Sequence, residues 1–157
     1  MAGLTRPALL HAVRTAIAAV VSFLAARELG LKEAYWAPIT TMIVLQSTLG
    51  AAWTVSTQRL AGTALGAVVG AASAAYVGSG AAVFGAGVVL LGVICAAFHL
   101  DRAAYRFAGI TLAVVMLIAR SQPPWVLALH RFIEVSLGIA VGLLLTAIWP
   151  ETKAASS

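Results

Sequence analysis

One helix-length segment is written twice in this chain: RLAGTALGAVVG (Arg59 to Gly70) recurs 72 residues later as RFIEVSLGIAVG (Arg131 to Gly142). Upstream the echo continues, because APITTMIVL (Ala37 to Leu45) resembles AGITLAVVM (Ala108 to Met116) at an offset of 71. Two matches in the same order constrain the fold strongly. They predict two similar halves, each burying a glycine-lined helix and a threonine-bearing apolar helix.

Composition decides what solvent those halves face. With 62% hydrophobic residues, 10% charged residues and a mean hydropathy of +1.00, the chain lies far outside the soluble range and reads as an integral membrane protein. Its 157 residues have room for about six spans of roughly 20 residues and short turns. The fold expected is therefore all-α: one membrane domain, residues 1–157, with repeat one over about 7–77, repeat two over about 81–150 and a short polar tail at 151–157. The net charge of +5 is spread beside apolar runs and forms no basic block, which argues against nucleic acid. The single cysteine, Cys95, sits inside GVVLLGVICAAF, where a small core residue is expected and no disulfide is possible.

Apolar runs and their polar punctuation predict six spans. They run over about Pro7 to Leu29, Tyr35 to Leu49, Gln58 to Val77, Ala81 to Leu100, Ala104 to Ala119 and Trp125 to Trp149, and Pro150 stops the last. Arg6 and Arg14 before AIAAVVSFLAA imitate a secretory signal, but Leu24 stands where a cut after Ala26 needs a small residue, so a retained first helix is expected. The side bearing both termini carries Arg6, Arg14, Arg59, Arg102, Arg106 and Lys153, and the other carries Arg27, Lys32, Arg120 and Arg131. That asymmetry favours both termini in the cytoplasm of a bacterial-type inner membrane. Units of three spans put the second copy upside down, so the halves are expected to be inverted repeats.

Inverted repeats with short or interrupted segments in matching positions mark secondary transporters, whose site lies where those segments meet near the midplane. Here the matching segments are spans two and five. Span two carries Pro38, Thr40, Thr41, Gln46, Ser47 and Thr48, and span five carries Arg106, Gly109 and Thr111. A second reading stays open, in which each hydroxyl bonds a carbonyl of its own helix. Gly62, Gly66 and Gly70 fall four apart on one face of span three, and Gly138 and Gly142 do so on span six, faces that let helix backbones approach closely.

At the place of Gly62 the second copy has Glu134, three residues after Arg131 and four after His130, a spacing at which all three side chains meet on one helix surface. A carboxylate at membrane depth costs at least a few kcal/mol unless paired, so Arg131 is its expected partner. His130 and Glu134 are then either a proton-responsive pair beside an anion-binding Arg131, or members of a structural ion pair. Arg59, the counterpart of Arg131, is placed near the opposite membrane face. Both arginines either reach out to headgroups or point inward and offer carboxylates a bidentate partner at each mouth of a path. Arg14 and His11, with Ser22 further along the face, either extend the polar lining or anchor the helix at the interface, and interface anchoring is the favoured expectation.

The run WAPITTMIVLQSTLGAAWTVSTQRLAGTALGAVVG resembles the signature of the fusaric-acid-resistance-like family, related to the aromatic acid exporters. In that family a Trp-led polar span ending in Gln is followed by Arg and then Gly-Thr, here Trp36, Gln46, Arg59, Gly62 and Thr63. YRFAGITLAVVML and RFIEVSLGIAVGLLLTAIWP resemble the family's closing spans, so the likeness covers about Arg14 to Pro150. It implies a six-span module exporting aromatic or other organic acids, driven by the proton gradient. The chain departs from larger members in lacking a long cytosolic region and a second membrane module, and Ser47 follows Gln46 where proline is expected. A complete exporter would then need at least two copies, with the glycine faces as the expected route of self-association.

The expectation is thus a transporter of weak organic acids through a path lined by spans two and five. Substrate binding falls to Arg59, Arg131, Thr40, Thr41, Gln46, Thr111 and Trp36, and proton coupling to Glu134 and His130. A passive anion channel and a non-transporting membrane scaffold are the alternatives. An enzyme is disfavoured because five Asp and Glu supply no paired acids. No metal is expected, since His130 and Glu134 lie across from His99 and His11. No cofactor is expected, since neither GxGxxG nor a P-loop occurs. The expected partners are the lipid bilayer, small organic anions and further copies of the chain.

Overall fold

The computed structural model describes residues 6–46, 48–118 and 122–149. Among these the regular structure is helical throughout: α1 (Arg6–Glu28), α2 (Trp36–Val44), α3 (Leu49–Tyr76), α4 (Ala81–Ala97), α5 (Arg102–Leu117) and α6 (Pro124–Ile148). Ser47, Arg120, Pro150 and Lys153, singled out from the sequence, lie outside the described residues.

Four of the six helices follow the apolar runs closely, and the differences concentrate around α2 and α3. The expected second span shrinks to nine residues, about 13 Å of helix, because the backbone turns extended at Leu45 (φ −64°, ψ 108°) while its N–H still donates to Thr41 O at 2.8 Å. α3 starts nine residues earlier than the polar stretch Thr54 to Arg59 suggests. Such residues need no loop when their hydroxyls are satisfied inside the helix, as where Thr54 Oγ1 donates to Gly50 O at 3.1 Å. Among the described residues two helices, over Ala8–Glu28 and Pro124–Ile148, are long and apolar enough to cross a membrane, and α4 is apolar but shorter.

The chain divides into two compact units, residues 1–56 with 136–157, and residues 57–135. In the first, α1 packs on α2, and Ala26, Ala34 and Ala37 form a core with Phe23, Leu31 and Leu137. α6 reaches α2 through glycines: a Cβ at Gly138 would lie 2.5 Å from Ala37 O and 2.7 Å from Thr40 Cβ, and one at Gly142 would lie 3.0 Å from Val44 Cγ1.

In the second unit α4 packs on α5, with Leu91, Ala108, Leu112 and Met116 at the core. Ala67, Ala71, Val115, Leu127 and Ala128 form a further cluster. Here α3 reaches α5 through glycines: a Cβ at Gly66 would overlap Ala108 O and lie 2.9 Å from Thr111 Cβ, and one at Gly70 would lie 3.1 Å from Val115 Cβ. The contacts of Gly138 with Ala37 and Thr40 therefore recur as those of Gly66 with Ala108 and Thr111, at the offsets read from the sequence. These glycine faces are filled within the chain, which removes them as the route of self-association.

The helix ends repeat as well. α1 closes with Leu31 N–H on Ala26 O (3.1 Å) and Gly30 N–H on Arg27 O (2.9 Å), and Gly30 takes a φ of +70°. α4 closes with Leu100 N–H on Cys95 O (2.8 Å) and His99 N–H on Ala96 O (3.2 Å), and His99 takes a φ of +52°. Both are Schellman motifs, with histidine in the left-handed position that glycine usually fills.

Candidate functional site

A helix in lipid satisfies its own backbone, so polar side chains buried along these helices are the informative ones. Among the described residues three arginines and one glutamate qualify: Arg14, Arg131 and Glu134 are each 1% exposed and Arg59 is 3% exposed. Buried hydroxyls accompany them at Ser22, Thr40, Thr41, Ser56, Thr63, Thr111 and Thr146.

In the first unit Arg14 is the organising charge. Its Nη2 donates to the Gln46 carbonyl at 3.0 Å and to Thr146 Oγ1 at 3.1 Å, and Thr146 in turn donates its own proton to Gly142 O at 2.8 Å. The cation thereby meets the carbonyl exposed where α2 breaks off, the helix end at which positive charge is favoured. Arg14 is not an interface anchor but a buried tie joining α1, α6 and the end of α2. His11, expected beside it, stays exposed, while Ser22 is buried and donates to Ala19 O at 3.0 Å. Thr146 was not singled out from the sequence, although it continues the four-residue spacing of Gly138 and Gly142 on α6.

The polar side chains expected to bind substrate separate into two kinds. Thr111 Oγ1 donates within its own helix to Phe107 O at 3.0 Å, and Gln46 Nε2 donates locally to Ile43 O at 3.1 Å. Thr41 Oγ1 lies 3.0 Å from both Ala37 O on its own helix and Gly138 O on α6, so its proton is shared across a helix crossing. Thr40 is fully buried beside Gly138. Trp36 is half-buried, donating its indole N–H to Glu33 Oε2 at 3.1 Å, with its ring 5.5 Å from that of Tyr35.

In the second unit Arg59 does not open its helix. It stands ten residues into α3, about 15 Å along the axis, and its guanidinium carbon lies 4.8 Å from the centre of the Phe107 ring on α5. Arg131 Nη1 and Glu134 Oε2 are 3.9 Å apart, one turn from each other on α6, at the limit of ion-pair contact. His130 beside them is half-buried. No group of three or more His, Cys, Asp and Glu with metal-binding geometry occurs among the described residues.

The profile of the fusaric acid resistance protein-like family matches residues 9–145, nearly the whole of the helical region. The chain belongs to that family. Fusaric acid resistance-like proteins are membrane transporters of the efflux and resistance kind, and membership makes this chain a membrane protein of that class. The matched stretch includes all four buried charges, Arg14, Arg59, Arg131 and Glu134, and every substrate-binding residue expected from the sequence. No curated protein and no solved structure matches this fusaric acid resistance-like chain.

Proposed function

We propose that the protein exports aromatic and other weak organic acids, coupled to proton movement, along a path lined by α2 and α5. The observation that carries this reading is the burial of Arg14, Arg59, Arg131 and Glu134 in helices of so apolar a chain. Each charge at bilayer depth costs roughly 2.5–3.5 kcal/mol or more, a cost offset by pairing or by a role with ions. Guanidinium groups suit carboxylates because they bind both oxygens at once.

Arg59 and Arg131 hold the substrate carboxylate in this scheme, and Glu134 with His130 exchanges the coupled proton. Because the protons of Thr41 and Thr111 already lie on carbonyls, their free lone pairs suit the O–H of a protonated acid or phenol. Thr40, Gln46 and Trp36 complete the lining. The recurrence of the glycine contacts and of the Schellman ends supports reading the halves as inverted three-helix repeats. On this reading both termini lie in the cytoplasm of a bacterial-type inner membrane, and further copies associate through faces other than the glycine faces.

The test is flux of labelled p-hydroxybenzoate in proteoliposomes, with and without a pH gradient. Gradient-driven flux that Arg131→Ala or Glu134→Gln abolishes is the expected result. Flux indifferent to the gradient would replace the carrier by a passive anion channel, and no flux with any acid would leave a membrane scaffold.

A further inference from the structure

A second charged feature lies away from the buried arginines, where α1 ends and turns into α2. The turn through Gly30 brings the chain back on itself and opens a cleft of about 380 Å³, within the size range of small-molecule clefts. Arg27 and Lys32 line it together with Phe23, Leu31 and Tyr35. Arg27 is held in place by the Phe23 ring, its guanidinium carbon 5.8 Å from the ring centre. No carboxylate lines the cleft among the described residues, and the nearby Glu33 is engaged by the Trp36 indole at 3.1 Å.

We propose that this cleft binds the phosphate headgroup of an anionic phospholipid. Three features point to that occupant. The cleft stands at the end of Ala8–Glu28, a helix long and apolar enough to cross a membrane, so it sits at the level of lipid headgroups rather than of acyl chains. Its two cations complement a phosphate. Its walls of Phe23, Leu31 and half-exposed Tyr35 suit the glycerol and the first methylenes beneath that phosphate, with a tyrosine at the depth where such side chains gather. The site is independent of what the protein transports.

The full chain, reconstituted in vesicles of equimolar phosphatidylcholine and phosphatidylglycerol, is re-extracted in mild detergent and its retained lipid measured by native mass spectrometry. Phosphatidylglycerol is expected to be retained over phosphatidylcholine. Arg27→Gln with Lys32→Gln should reduce that retention by on the order of tenfold or more, since each cation near an anionic surface is worth about fivefold. Arg27→Lys with Lys32→Arg should restore it. Arg102→Gln with Arg106→Gln, which removes two exposed cations outside the cleft, should leave it unchanged. Equal retention of the two lipids, equal loss in the Arg102 and Arg106 variant, or unaltered retention without Arg27 and Lys32 would overturn the proposal. Displacement of the lipid by excess inorganic phosphate would make the cleft a site for free phosphate and overturn its assignment to lipid.

Discussion

The Arg14 guanidinium donates to Thr146 Oγ1 at 3.1 Å, joining two helices whose residues lie 132 positions apart. Because Thr146 gives its own proton to Gly142 O, its oxygen meets the arginine as a pure acceptor. Thr146→Val keeps the shape and removes that acceptor from a charged donor, which should cost about 1.5–3 kcal/mol. In a double-mutant cycle read by reversible unfolding in detergent, Arg14→Met should cost less in the Thr146→Val background than in the wild type. Strict additivity would show that the tie contributes nothing.

The glycine crossings make a sharper prediction, because the obstacle at each is main chain. A methyl group at Gly66 or Gly138 meets the carbonyl of Ala108 or Ala37, and no rotamer change relieves a contact with backbone. Gly66→Ala and Gly138→Ala should each lower stability by about 1–3 kcal/mol. At Gly85 and Gly109 a methyl group would meet nothing within 4 Å, so alanine there should be neutral or slightly stabilising. Midpoints of thermal unfolding for the four variants check the contrast.

The left-handed residues closing α1 and α4 give opposite signs for opposite substitutions. His99→Gly relieves a side chain at φ +52° and should stabilise by about 0.5–1 kcal/mol, the left-handed penalty less the entropy glycine adds to the unfolded chain. Gly30→Ala introduces the same strain at φ +70° and should destabilise by about 1 kcal/mol. The comparison is read from the two unfolding midpoints.

Thr41 and Thr111 occupy neighbouring places in the repeated pattern but differ in reach. Thr41→Val removes a hydrogen bond to Gly138 O on another helix and should cost about 0.6–2 kcal/mol. Thr111→Val removes only a bond within its own helix and should cost less. Equal losses in the two variants would mean that the shared proton of Thr41 spends its time on Ala37.

Much of the fold was legible because apolar runs and breakers report helices directly: α1, α4, α5 and α6 end within a few residues of the polar punctuation. α2 and α3 were less legible. The run through Leu45 reads as continuous helix although the backbone breaks there, and the polar stretch before Arg59 reads as a loop although hydroxyls such as that of Thr54 are satisfied within α3. Glycine spacing announced close helix contact without naming the partner, so contacts made inside one chain were indistinguishable from contacts between copies. Arg14 was hardest to read, since its acceptors lie 32 and 132 residues away and one of them is a main-chain carbonyl, which leaves no trace in side-chain pattern.

Arg131 and Glu134 separate structural pairing from a part in transport. Each is 1% exposed and their charged atoms approach to 3.9 Å, so removing either one leaves the other charge buried, at a cost of about 3–5 kcal/mol. Replacing both, Arg131→Met with Glu134→Gln, removes both charges together and should recover much of that loss. Stability alone therefore identifies the pair. If the two residues also carry substrate and proton, the double variant should regain stability while acid flux stays lost, because an uncharged pair satisfies the helix packing but offers neither a guanidinium nor a titrating group. If flux returns with stability, the pair is structural, and the anion must be held by Arg59 or Arg14.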